Sequence, residues 1–419
     1  MKLKFGVIGA NPQLRSNFVF LNFPREEGVL TALCDNDPEM LKACLDAYPE
    51  FADARTYSDY RGLINDPEVE AVFIIVRDPY HEEMAVAALE AGKAVYLEKP
   101  MAITLDGCDR ILETAFRTGS KLMIGHNMRY MNFVLTMKKV IDSGIIGEIQ
   151  SVWCRHFINY GSCYFRHWCA EQKNSTGLLL QKGAHDIDII HWLAGGYTQR
   201  VTAMGKLSVY NRTENRLKPG EKPDRKMSFT PECWPPLEVS GLNPDMDVED
   251  HSMLLMQLDN GVQASYEQCM YAPDNERNYT FIGTKGRVEN IGDYHGDTEI
   301  HVWTQRGFRY TPDIIYKLKP ITGTHGGADG PILKAFFDFI RKGIPPAVSP
   351  VAARNAVAAG FLGHYSMRHG SIPRDVPPLR DELIRYFENG QIRSPHPQKN
   401  TEDCPAAGSL FLYRSEKTG

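Results

Sequence analysis

The chain has 419 residues, 42% of them hydrophobic and 24% charged, with a net charge of -5, ordinary values for a globular protein with room for two buried cores. The mildly acidic balance gives no footing to a nucleic-acid binder, and no apolar run is long enough to span a bilayer. Residues 1–6 run straight into a strand-like segment, which leaves no room for a signal sequence. The nine cysteines are scattered without framework spacing, so free thiols in a reducing, cytoplasmic setting are expected.

In chain order, residues 4–8 form a short apolar run ending at Gly9, as a buried parallel strand does. Residues 29–34 repeat it and end in Asp35; residues 71–76, 94–97 and 121–124 follow at similar intervals. Helical patterns fill the gaps at 38–48, 81–91, 105–118 and 131–143, with Thr104 a predicted N-cap and Gly92 a predicted stop. Such alternation predicts an α/β, doubly wound parallel sheet over residues 1–130. Ligands bind such sheets outside the strands' carboxyl ends, here Gly9, Asp35, Arg77, Glu98 and Asn127.

The first strand-to-helix turn carries a damaged dinucleotide fingerprint. A full G-x-G-x-x-G from Gly9 would put glycines where Asn11 and Leu14 stand. Asn11 tolerates positive φ, whereas Leu14 lacks the close approach that the third glycine allows. Gln13 completes the turn; Arg15 and Ser16 are open either to phosphate or to solvent. Asp35 ends the second strand, where a carboxylate accepts from ribose hydroxyls and repels a 2′-phosphate, so NAD is favoured over NADP. Asp35 to Pro38 could equally cap the next helix.

Farther on, Arg77-Asp78-Pro79-Tyr80-His81 precedes a strand ending Glu98-Lys99-Pro100. Then come His126-Asn127-Met128-Arg129-Tyr130, Ser175-Thr176-Gly177, Gly183-Ala184-His185-Asp186-Ile187-Asp188 and Gly283-Thr284-Lys285-Gly286. This ordered set resembles the Gfo/Idh/MocA oxidoreductases, which include glucose–fructose oxidoreductases and inositol dehydrogenases. The resemblance implies a Rossmann domain followed by a substrate domain with a large, mostly antiparallel open sheet. It adds Pro79, His81 and Lys99 to the cofactor wall, makes Lys99 and His185 the catalytic pair, and implies a homodimer or homotetramer. Lys99 at a strand end fits the support of an alkoxide, and the His185 imidazole fits proton transfer near neutral pH. Many members carry Asp four residues before the histidine; here Gln181 stands, followed by Lys182, which could meet an acidic substrate group.

From residue 148 the pattern changes to period-two strands at 149–157, 201–210, 250–258, 262–271 and 278–282, with Asn260-Gly261 as a hairpin turn. Residues 131–376 are read as the substrate domain and 377–419 as an extension. Arg129, Tyr130, His156, Trp168, Lys182, Asp188 and Tyr271 are the candidate substrate contacts, with Tyr160, Arg166, His167 and His325 behind them. His191 reads as structural. Residues 211–246, rich in proline, interrupt the sheet and could cap the site or reach a neighbouring subunit. Cys163, His167 and Cys169 lie close together without a fourth ligand, so no metal is expected. The expected reaction is oxidation of a secondary hydroxyl of a sugar, glycoside, cyclitol or sugar acid. An NAD-dependent glycosidase and a non-catalytic dinucleotide-bound regulator are the alternatives.

Overall fold

The computed structural model describes residues 1–12, 15–218, 220–221, 234–293, 297–319, 321 and 323–393. Six segments build the first sheet: β1 (Leu3–Ile8), β2 (Gly28–Cys34), β3 (Arg55–Tyr57), β4 (Ala71–Ile74), β5 (Ala94–Leu97) and β6 (Leu122–Ile124). All pairs are parallel, in the order β3-β2-β1-β4-β5-β6. The order reverses beside β1, which opens a crevice at the strands' carboxyl ends. β3 has no apolar run, because it is a three-residue edge strand facing solvent, and so the sequence did not announce it.

The second sheet holds nine strands: β7 (Ile149–Phe157), β8 (Thr198–Lys206), β9 (His251–Leu258), β10 (Gln263–Cys269), β11 (Glu276–Gly283), β12 (Arg287–Ile291), β13 (Thr298–Trp303), β14 (Ile314–Leu318) and β15 (Arg374–Asp375). Its order is β14-β13-β12-β11-β7-β10-β9-β8-β15. Every pair is antiparallel except β7–β10. Buried and exposed residues alternate along β9, so one face meets the core and the other meets solvent. The helix Gly183–Ala194 lies on the covered face, packing Ile187 and Ile190 with Tyr266 and Tyr279.

Three C-terminal helices depart from the division drawn at residues 130 and 376. The helix Asp329–Lys342 packs Phe336 and Phe337 against the first sheet, with Phe336 5.0 Å from Phe73, ring to ring. Helix Pro350–Arg368, not expected from the sequence, covers that sheet with Val351, Ala353 and Val357 while Ala356 and Ala359 face the second core. It rivets the two sheets together. The extension contributes the helix Asp381–Glu388, whose Leu383, Tyr386 and Phe387 join the first core. Residues 394–419 lie outside the described residues, as do 219 and 222–233 of the proline-rich excursion. The excursion's described ends fold back on their own chain: Val239, Leu242 and Met246 are buried with Phe165 and Met270, and Asn243 N donates to Phe165 O at 2.8 Å.

Candidate active site

At the crevice, β1 ends at Gly9 with φ +89, and a Cβ there would lie 2.0 Å from the Ile75 carbonyl oxygen. Only glycine fits. Its N–H donates to Cys34 O at 2.8 Å, which holds the turn against the end of β2. Asp35 is partly buried beyond that strand, and burial raises its carboxyl pKa while the backbone N–H groups of Asp37 and Ala10 lower it. The helix Pro38–Ala47 is capped by Asp37, whose carboxylate accepts from Glu39 N at 3.0 Å. The cap therefore leaves Asp35 at the mouth of the glycine turn. This pairing of a forced glycine turn with a carboxylate at the next strand end fits a dinucleotide's pyrophosphate and ribose. Asn11 stands in the same turn; Gln13 and Leu14 lie outside the described residues.

Arg15 and Ser16 turn inward rather than to solvent. The Ser16 hydroxyl donates to Gly9 O. The Arg15 guanidinium reaches Glu98 at 3.1 Å and Asp329 at 3.0 Å, and so joins β5 to the helix Asp329–Lys342. His325 Nδ1 lies 3.1 Å from Arg15 and 3.0 Å from Asp329. Asn127 donates to the same Asp329 at 3.2 Å.

The chemistry-bearing corner forms where β5 meets the second domain. Glu98 is buried and accepts from the Lys99 backbone N–H at 3.0 Å. The Lys99 ammonium donates to the main-chain oxygen of Gln181 at 3.0 Å. Burial brings the Lys99 pKa down to about 8; the Lys182 charge pushes the same way, while Asp78 and Glu98 oppose it. Asp78 is buried in turn, and burial raises its carboxyl well above the usual range although Lys99 pulls it down. His185, three residues past Lys182, is held well below its ordinary pKa by burial first and Lys99 second, so its imidazole is neutral at pH 7. Among the described residues His185 Nδ1 is buried without a hydrogen-bond partner, as are both ring nitrogens of His126, whose Nδ1 lies 3.7 Å from Asp188 and whose ring centroid lies 6.0 Å from that of His185.

The Ser175-Thr176-Gly177 motif explains how Gln181 reaches Lys99. Gly177 sits at φ +144 where a Cβ would lie 2.2 Å from His364, and Thr176 donates to Ile103 O at 2.6 Å. The short helix Leu178–Gln181 starts there and delivers the Gln181 carbonyl to Lys99.

Several residues expected at the cleft are engaged in the scaffold instead. Arg129 grips Asp188 through two hydrogen bonds of 2.8 and 2.6 Å and donates to Ala347 O at 2.6 Å. Tyr130 accepts from Ala347 N at 3.4 Å. His156 is buried at 3.1 Å from Asp186, and burial drives its pKa down to about 3. His81 Nδ1 donates to Pro100 O at 2.6 Å, and Nε2 lies 3.2 Å from Val76 O, which braces both strand exits from inside. Tyr271 and Trp168 pack beside the cluster containing Tyr164 and Tyr210, Arg77 is exposed, and Pro79 opens a 3-10 turn. His191 bonds Thr198 at 2.7 Å, a structural role as read.

Sequence reasoning missed Asp78, Asp186 and Arg277. Asp186 is the hub of a buried network, taking Arg277 Nε at 3.0 Å and the Tyr266 and Tyr279 hydroxyls. A charged residue inside the G-x-H-x-x-D motif was the available signal; its partners come from strands about 80 to 90 residues away. Among the described residues no group of three or more His, Cys, Asp or Glu is placed to hold a metal.

Two family models match this chain: "Oxidoreductase family, NAD-binding Rossmann fold" over residues 3–126 and "GFO/IDH/MocA C-terminal domain" over residues 134–289. The chain belongs to the Gfo/Idh/MocA oxidoreductase family. Within this family it is 26% identical over 386 residues to "Putative oxidoreductase YteT" of Bacillus subtilis, covering 81% of this chain and 87% of that one. Inositol 2-dehydrogenase of Salmonella typhimurium is 35% identical over 195 residues, 46% of this chain and 55% of that protein, so the match spans about half of each. A 1-carboxy-3-chloro-3,4-dihydroxycyclohexa-1,5-diene dehydrogenase of Comamonas testosteroni is 33% identical over 44% of this chain and 46% of its own. Levoglucosan dehydrogenase, solved with NADH and levoglucosan, superposes with a TM-score of 0.70 at 21% identity, covering 90% of this chain and 100% of that one. That likeness shows the shared Gfo/Idh/MocA fold.

Proposed function

We propose that the protein reversibly oxidises a secondary hydroxyl of a sugar, glycoside, cyclitol or sugar acid, with NAD as the favoured cofactor. The reading rests above all on one observation: the Lys99 ammonium, at the carboxyl end of β5, donates at 3.0 Å to the main-chain oxygen of Gln181, two residues before the buried helix that carries His185. Family membership and the substrates named for the inositol and carboxy-cyclohexadiene dehydrogenases support it.

When bound, NAD supplies the hydride acceptor. His185 takes the hydroxyl proton, a task its neutral state permits. Lys99, protonated below about pH 8, stabilises the negative charge growing on the substrate oxygen. Glu98 and the Gln181 carbonyl fix the direction of Lys99. The Asp35 carboxylate accepts from the adenosine ribose and disfavours a 2′-phosphate. Gly9, Asn11, Arg77, Pro79 and Asn127 complete the proposed cofactor wall; His81, Arg129, Tyr130, His156 and Asp188 serve it from behind, as scaffold.

Cys34, Cys44, Cys108, Cys154, Cys169 and Cys269 are free thiols, and no described helix is long and apolar enough to cross a membrane. The free thiols support a reducing, cytoplasmic setting. The solvent face of the second sheet exposes Trp153, Met204, Met253 and Leu255, an apolar patch that supports a homo-oligomer.

A panel of sugars, cyclitols, glycosides and sugar acids, followed by NADH absorbance, tests the reading. At least one is expected to reduce NAD, and His185→Ala to lower turnover by ~10²–10⁴-fold with NADH binding retained. An alanine variant working at the parent rate would remove His185 from the mechanism. Glycoside cleavage without NADH accumulation would point to the hydrolase instead.

A further inference from the structure

We infer that Lys182 anchors a carboxylate of the substrate, so that the hydroxyl oxidised beside Lys99 and His185 belongs to a sugar acid rather than to a neutral sugar. The inference narrows the preceding reading and rests on it.

Lys182 stands between Gln181, whose carbonyl holds Lys99, and His185. The residue is 8% exposed. The ammonium donates to the Tyr160 hydroxyl at 3.1 Å and lies 5.3 and 5.5 Å from the ring centroids of Tyr160 and Tyr164. Among the described residues it makes no ion pair. The nearby carboxylates are committed elsewhere: Asp186 to Arg277 at 3.0 Å and His156 at 3.1 Å, Asp293 to Arg277 at 3.9 Å, and Glu98 to Arg15 at 3.1 Å.

A buried ammonium without a counter-charge is unfavourable for folding, and an uncharged side chain of similar shape would pack against two tyrosines without that penalty. The surroundings bear this out. Burial and then Arg277 drive the Lys182 pKa down to about 7, with Asp186, Cys163 and Asp293 opposing, and Lys182 in turn acts against Lys99. An incoming anion would satisfy Lys182 and relieve Lys99 together. One point charge beside one phenol matches a monoanionic carboxylate; a phosphate dianion would leave a charge unmatched, because Arg277 is already tied to Asp186. Adjacent to it, the Gln181 amide bonds to Asp78, and its Oε1 is buried without a hydrogen-bond partner among the described residues.

The test is calorimetric titration of the NADH-loaded protein with D-glucuronate, D-galacturonate and D-gluconate. Their controls are D-glucose, D-galactose and glucose 6-phosphate. At least one acid is expected to bind tenfold or more tighter than its neutral counterpart, an advantage lost in Lys182→Met and partly kept in Lys182→Arg. The comparison within the parent protein needs no variant to fold. A second readout is thermal. Because Lys182 is neutral in the fold above about pH 7 but charged in the unfolded chain up to about pH 10.4, its penalty is complete below pH 7 and fades toward pH 10. Lys182→Met is therefore expected to raise Tm most at pH 6 to 7. Neutral sugars binding as tightly as acids, tighter binding of the phosphate, or an acid preference surviving in Lys182→Met would each overturn the anchor. An acid that binds through Lys182 but is never oxidised leaves the anchor standing and defeats the proposed reaction. A neutral sugar oxidised equally well by parent and Lys182→Met does the reverse.

Discussion

Lys99 Nζ and the Gln181 carbonyl oxygen, 3.0 Å apart across 82 residues of sequence, tie the end of the first sheet to the start of the His185 helix. The bond leaves the ammonium pointing at the second domain, and its protonation then sets the alkaline side of the reaction. Lys99 is charged below about pH 8 and neutral above it. Oxidation is expected to hold steady near neutral pH and to fall as pH rises through about 8. In Asp78→Asn, whatever attraction the ionised carboxylate exerts on the Lys99 proton is gone, so the falling limb should move to lower pH. A kcat/KM profile against pH reads both effects, and an unmoved limb would detach Asp78 from Lys99. Lys99→Met should lower kcat by ~10²–10³-fold.

Asp37 performs the helix cap, while the Asp35 carboxylate accepts from the Asp37 backbone N–H at 3.0 Å and stays at the glycine turn. Asp35→Ala should weaken NADH binding by about 10- to 100-fold, the value of one charge-assisted hydrogen bond. NADPH, which gains by losing the repulsion, should weaken far less or bind better. Fluorescence titration with both nucleotides decides the matter. Equal losses for the two would show that Asp35 does not face the ribose.

The buried pair Arg129–Asp188 belongs to stability. Against the push of burial, Arg129 holds the Asp188 pKa below its ordinary value. The stability it contributes is present at neutral pH and is lost as pH falls below the ordinary carboxylate range. Asp188→Ala, which strands the guanidinium, should destabilise by about 3–5 kcal/mol, seen in urea unfolding at pH 7. A stable variant with a raised KM would instead return Asp188 to the substrate.

Met253 and Leu255 alternate with buried neighbours on β9 and stand 48% and 57% exposed. If this face joins copies of the chain, Leu255→Glu should shift light-scattering mass toward the monomer without unfolding the protein, since the side chain already faces solvent. A parent that is monomeric at micromolar concentration would refute the oligomer.

Local pattern made part of this protein legible. Apolar runs with a helical pattern between them located five of the six strands of the first sheet, because buried parallel strands are continuous hydrophobic segments; the exposed edge strand β3 left no such mark. Period-two alternation found β7 at its true ends, whereas β8, read over 201–210, runs Thr198–Lys206. β12 to β15 gave no reading of their own.

The sequence by itself determined the two sheet types, the glycine turn and the order of the motifs, since each follows from residues adjacent in the chain. Tertiary structure alone decided which charges are spoken for. Arg129 is taken by Asp188, His156 by Asp186, and Arg15 by Glu98 and Asp329, while Lys182 stays without a counter-ion among the described residues. A buried charge must be neutralised by whatever the fold brings beside it, and those partners lie 30 to more than 300 residues away in the chain.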